Sequence, residues 1–200
     1  MNHKVFIVSN TFLKKGVTMP YFGTKDIVAI VICAVLWTAL NSTLAPVFFA
    51  ATHLPFLCDF LAFVSLILVV WWTRKFGAAS FTGLIVAGLS LAFRPGATQM
   101  IGFAVASIAF DILTRIVGYR NCLDKPLSAV VGLTSFSTIC AGLAGSIIGS
   151  FFMNPRQPIT IFAGLHAVGG FIGGVIGLIL MGALKTRIST PKGLQSSTGA

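Results

Sequence analysis

Six apolar stretches, each about 18–25 residues long, divide this chain, and the short segments between them carry most of its charge. Nothing else in the sequence constrains the fold so strongly. About 20 apolar residues at a rise of about 1.5 Å each span a hydrocarbon layer about 30 Å thick. Inside such a layer every backbone N–H and C=O must be paired within its own segment, so each stretch is expected to be an α-helix. Only 9% of the residues are charged, and none of the stretches leaves the broad polar face that a soluble amphipathic helix needs. The expected fold is an all-α membrane protein, a six-transmembrane-helix bundle with spans at 26–44, 55–73, 76–93, 98–118, 127–152 and 159–184. Residues 1–24 form an N-terminal segment, 25–187 the membrane domain and 188–200 a flexible tail.

Basic residues are distributed unevenly about these spans. Twelve of the fourteen fall on one side: Lys4, Lys14, Lys15 and Lys25, then Arg74 and Lys75, Arg115, Arg120 and Lys125, and finally Lys185, Arg187 and Lys192. The other side holds Arg94 and Arg156. The positive-inside rule then places both termini in the cytoplasm and the Arg94 side outside the cell membrane. The net charge of +10 is mostly this topology signal, although the tails suit anionic lipid. It gives no reason to expect nucleic acid as a partner. Trp71, Trp72 and Tyr119 read as anchors at the inner interface. No signal peptide is expected, because the first long apolar run has the length of a full span.

Carboxylates are scarce. The four are Asp26, Asp59, Asp111 and Asp124, and there is no Glu. Asp26 beside Lys25 and Asp124 beside Lys125 are expected to be solvated. Asp111 and Arg115 stand four residues apart, the spacing that stacks side chains on one helix face, and are expected to pair. Asp59 lies about one turn into the second span among apolar residues, where an ionised group needs a partner, a cavity or a bundle interior. Two readings stay open for it: a structural pair with Arg94 or Arg156 or an interfacial position, and a ligand-binding carboxylate suited to a cationic or donor-rich ring.

Other polar groups gather on the outer half: Asn41-Ser42-Thr43, His53, Gln99, Asn154, Gln157 and His166. A polar cluster drawn from several segments inside an apolar frame is what a small-molecule site looks like. Asp59, Asn41, Arg94, Gln99 and His166 are its candidate residues, with Asp111 as a further one. Three His and four scattered Cys form no zinc-type spacing, so neither metal nor cofactor is expected, and no catalytic constellation is found. The chain has no Gly-rich, Lys-terminated phosphate loop, so any driven transport takes its energy from a gradient or a partner.

Small residues form stripes at four-residue intervals: Gly169-Gly173-Gly177 and Gly170-Gly174 in the sixth span, Gly145-Gly149 in the fifth, Ala79-Gly83-Ala87 in the third and Gly102-Ala106 in the fourth. Such stripes let helices approach closely. The Gly169, Gly173 and Gly177 face is expected to meet another subunit, and Gly170-Gly174 to pack internally.

Lys25-Asp26-Ile27-Val28 opening the first span, Arg74-Lys75-Phe76-Gly77-Ala78-Ala79 at the 2–3 turn, the Pro95-Gly96 turn and Asp111 in the fourth span carry a family resemblance over residues 24–185. In these features the chain resembles the substrate-binding membrane component (S component) of energy-coupling-factor (ECF) vitamin transporters, within the YkoE-like thiamin or hydroxymethylpyrimidine group. The resemblance implies capture of a vitamin-like small molecule from outside. It also implies a transmembrane coupling subunit and two cytoplasmic ATPases as partners, and a toppling motion that releases substrate inward. Ala29 and Cys33 stand in the place of the small-residue coupling motif of the first helix. The rival reading is a non-transporting accessory subunit that stabilises a larger membrane complex through its glycine stripes.

Overall fold

The computed structural model describes residues 21–52, 54, 56–152 and 158–188. Seven helices follow one another: α1 (Thr24–Thr52), α2 (Phe56–Thr73), α3 (Ala78–Phe93), α4 (Met100–Val117), the short α5 (Tyr119–Asp124), α6 (Pro126–Phe151) and α7 (Ile159–Arg187). Among the described residues there is no strand. All but α5 are the expected spans, with their ends moved. The N-terminal segment, the tail, His53, Pro55, Asn154, Arg156 and Gln157 lie outside the described residues.

Five helices are long and apolar enough to cross a membrane, and α3 is a shorter apolar helix of 16 residues. At about 1.5 Å per residue α3 is only about 24 Å long, less than a full hydrocarbon layer. Its shortening has a local cause. Arg74 (φ 51°) and Gly77 (φ 94°) adopt left-handed backbone, so residues expected to open the helix form the turn before it. In the other direction, α1 runs past its expected end at Leu44 and carries Pro46 inside it. Proline lacks the N–H that would pair with the carbonyl of Ser42, so the helix is locally weakened there.

Around the bundle α1 packs on α2, α2 on α7, α7 on α6, α6 on α4, α4 on α3 and α3 on α1, which closes a ring. α2 also touches α3, α4 and α6 across the middle and is the most buried of the long apolar helices. Its Phe63, Leu66, Ile67 and Val70 fill the centre, where Phe63 meets Phe110 edge-on at 5.9 Å. The outer surface is apolar as well. On α1 alone Ile27, Val28, Val31, Ile32, Val35 and Leu36 are exposed. In water so large an apolar surface would drive association; in lipid it is solvated. The protein is a multi-pass helical membrane bundle.

Most buried hydroxyls look after themselves. Thr38, Thr82, Ser107, Thr114 and Ser137 each donate to the carbonyl four residues earlier, at 2.8–2.9 Å. Those five hydroxyls are thereby paired within their own helices, whereas Ser90 Oγ and Tyr119 Oη are buried without a partner among the described residues.

The glycine stripes are internal. A Cβ on Gly169 would lie 2.9 Å from Asp59 Cβ, one on Gly173 3.0 Å from Phe60 Cα, and one on Gly177 2.8 Å from Ile67 Cδ1, all on α2. This corrects the expectation that Gly169, Gly173 and Gly177 face another subunit. The neighbouring Gly170 and Gly174 take α6 at Ala141, Ser137 and Thr134, as expected. With glycines on two faces, α7 is wedged between α2 and α6. Gly145 and Gly149 receive His166 and Phe162 of α7, Gly83 receives Ser107, and Gly102 receives Ile148. Ala29 and Cys33 are half-buried on α1.

Candidate functional site

Two polar regions stand at opposite ends of the bundle. The basic end is a clamp. Three of the four carboxylates converge on residues 74–80, the turn between α2 and α3. Asp124 of α5 takes the Arg74 guanidinium with both oxygens, at 2.9 and 2.7 Å. Asp26 of α1 accepts from Lys75 Nζ at 2.8 Å and from the Gly23 N–H at 2.9 Å. Asp111 of α4, fully buried, accepts from the Gly77 N–H (2.8 Å), the Ser80 N–H (3.0 Å) and Ser80 Oγ (2.8 Å). It thereby satisfies donors that the start of α3 would leave unpaired.

These contacts correct four expectations. Asp111 pairs with the α3 N-terminus and not with Arg115, and it lies at the far end of the bundle from the cavity described below. Asp26 is buried and bound to Lys75, whereas Asp124 is exposed, as expected, while bound to Arg74. Trp71 is buried and stacks edge-on against Trp72 at 6.0 Å; only Trp72 is exposed in the manner of an anchor. The Arg74 guanidinium holds the Asp124 carboxyl below the usual carboxylate range, a pull only partly opposed by burial.

The other end holds a cavity of about 320 Å³. Five helices and the loop after α3 reach it: Asn41, Ala45, Pro46 and Phe49 from α1, Leu57 and Cys58 from α2, Arg94 just after α3, Gln99, Met100 and Phe103 at the start of α4, Ile148 from α6, and Phe162 and His166 from α7. Leu54, between α1 and α2, completes the wall. Four of the six expected site residues, Asn41, Arg94, Gln99 and His166, therefore line one cavity. The aromatic and apolar walls, Phe49, Phe103, Phe162, Met100 and Ile148, went unforeseen, because an apolar residue in an apolar span carries no signal of which way it faces.

Asp59 is a different case. It is 0% exposed, lies outside the cavity wall, and is covered by His166 and Gly169. His166 Nδ1 sits over its carboxylate, 3.0 Å from Oδ1 in hydrogen-bonding geometry and 2.8 Å from Oδ2. Neither Arg94 nor any other described Lys or Arg forms an ion pair with it. The expected pair with Arg94 is thus not formed, and Arg156 lies outside the described residues. Asp59 holds an imidazole, and the imidazole faces the cavity. The 3.6-residue period could not reveal this, because the two residues stand 107 apart in sequence.

His166 is 3% exposed, and its ring meets Phe162 edge-on at 4.7 Å. Its Nε2 has no partner among the described residues, and neither has Asn41 Oδ1. The Asn41 amide makes one contact, a long one at 3.7 Å to Met100 Sδ. Buried polar atoms are nearly always satisfied, so two unsatisfied ones on the wall of one cavity mark it as a place for a polar guest. Among the described residues no group of three His, Cys, Asp or Glu converges in a way that would hold a metal. Comparison with protein families, with characterised proteins and with solved structures finds no match.

Proposed function

We propose that the chain is the substrate-capturing membrane component of an ECF-type importer, and that it binds a thiamin-related vitamin or precursor in the cavity at the Arg94 end. One observation carries the reading. A cavity of small-molecule size, walled by phenylalanines and reached by five helices and the end of α3, is lined by Asn41 and His166, whose Oδ1 and Nε2 are buried without a partner among the described residues. Aromatic walls with a few fixed polar groups are how proteins hold planar heterocycles. The excess of basic residues at the opposite end supports a cell-membrane orientation with both termini in the cytoplasm and the cavity open to the outside. The chain carries no phosphate loop of its own, which fits a component that borrows a coupling subunit and two ATPases. No enzymatic role is proposed. The accessory-subunit reading drew on glycine faces free for docking, and those faces are occupied within the chain.

The test is mass spectrometry of small molecules released from the purified protein. A thiamin-related compound is expected from the wild type and should be strongly depleted in His166→Leu. Release of nothing but lipid from both proteins would overturn the reading.

A further inference from the structure

Arg94 is a charge without a counter-charge. The chain has four Asp and no Glu. Three of the four are held at the other end of the bundle: Asp26 on Lys75, Asp124 on Arg74, and Asp111 on the N–H groups that open α3. The fourth, Asp59, lies off the cavity wall and is engaged by His166. No described residue forms an ion pair with Arg94 or accepts from its guanidinium, and the chain has no further acidic side chain to supply.

The backbone fixes where this charge sits. The Arg94 N–H donates to the Ser90 carbonyl at 2.8 Å, and the Arg94 carbonyl accepts from the Ala97 N–H at 2.8 Å. The turn after α3 thereby holds the residue at the cavity while its side chain stays unpaired. Arg94 is both exposed and part of the wall. A guanidinium does not lose its proton in a protein, so among the described wall residues Arg94 alone carries a fixed charge. That charge acts on the thiol of Cys58, another wall residue. Around it stand Phe49, Leu57, Phe103, Ile148 and Phe162. Apolar walls keep out the water that would screen it, so a cation there draws an anion more strongly than one on a flat, wet surface. The guanidinium fork also matches the paired oxygens of a phosphate or a carboxylate. A cationic ligand would find no carboxylate on the wall to receive it.

Resting on the reading of this cavity as the ligand site, we propose that it selects an anionic ligand, whose flat or apolar body lies among the phenylalanines while a phosphate or carboxylate is held by Arg94. Within a thiamin-related series the phosphate ester is then preferred to its parent alcohol. Arg94 is a specificity-determining residue, and the counter-charge that the chain lacks arrives with the ligand.

Equilibrium binding to the purified full-length protein tests this with two matched pairs: hydroxymethylpyrimidine against its phosphate ester, and benzyl alcohol against benzyl phosphate. In each pair the wild type should favour the ester by about tenfold or more, the scale of a hydrogen bond to a charged group. Arg94→Gln should remove that preference and leave the affinity for the parent alcohol unchanged. Because Arg94 is exposed, the thermal midpoint of the variant should match the wild type. Alcohols that bind as tightly as their esters would overturn the proposal, as would an Arg94→Gln protein that keeps the preference or weakens both members of a pair alike. If the benzyl pair behaves as expected while neither pyrimidine binds, the anion site stands and the thiamin-related reading fails. Binding of neither ester overturns the anion site itself. A phospholipid headgroup offers Arg94 the same oxygens, so lipid retained by the purified protein is measured in parallel. Phospholipid that the wild type keeps and Arg94→Gln loses, with neither ester bound, makes Arg94 a headgroup anchor and overturns the proposal.

Discussion

Single residues in this bundle act through what they hold in place. Asp111 lies at the centre of the basic-end clamp, and Asp111→Ala would leave the Gly77 and Ser80 N–H groups facing an apolar interior. A loss of about 1.5–3 kcal/mol is expected, the range for hydrogen bonds to a charged group, and it should appear as a lowered thermal midpoint of the purified protein. An unchanged midpoint would show that the α3 N-terminus finds other partners. Asp124 belongs to the same clamp but is exposed, so its pair with Arg74 is expected to contribute only about 0.2–1 kcal/mol. The sign of its pH dependence follows from the lowered value in the folded state. The contribution is complete above the ordinary carboxylate range, near pH 4, and is lost as pH falls through the folded value. Comparing acid unfolding of wild type and Asp124→Asn should show the two curves converging below that range and separated above it.

At the scale of elements, close helix approach is written in glycine, and each glycine has its own prediction. A Cβ on Gly173 meets backbone of α2, Phe60 Cα at 3.0 Å and Phe60 O at 3.1 Å, which cannot swing aside as a side chain would. Gly173→Leu is therefore expected to lower the stability of the isolated protein by about 1–3 kcal/mol or more. Gly88 and Gly182 have nothing within 4 Å of an added Cβ, and Gly→Ala there should be neutral or stabilising by about 0.5–1 kcal/mol. A Gly173→Leu protein of normal thermal stability would refute the packing of α7 on α2. The spans themselves were legible, because hydropathy reports burial in lipid directly. Their partners were not. The spacing of Gly169, Gly173 and Gly177 shows a smooth face but not what lies against it, and only the ring order of the helices assigns that face to α2. Likewise, Pro46 reads as a boundary in sequence, yet α1 passes through it, because neighbouring turns and packing carry the helix across one missing hydrogen bond. Asp59 and His166 were both legible as unusual, but their contact depends on the packing of α2 against α7 and has no local trace.

The whole molecule is polarised, with carboxylates and bases knotted around residues 74–80 at one end and an apolar, sparsely polar cavity at the other. That polarity sets an orientation that can be measured. With Cys58 replaced, a cysteine at Arg94 is expected to react with an impermeant reagent added outside the cell and one at Lys125 is not; both positions are exposed. The reverse pattern would turn the cavity toward the cytoplasm and remove capture from outside. Capture itself is tested most directly by equilibrium binding of thiamin and hydroxymethylpyrimidine to the purified protein, alongside His166→Leu in the cavity and Phe171→Leu on the exposed face of α7. At least one of the two compounds should bind the wild type and Phe171→Leu equally, with affinity reduced about tenfold or more in His166→Leu, as expected for a lost buried hydrogen bond. Binding of neither compound, or binding that His166→Leu leaves untouched, would contradict the account.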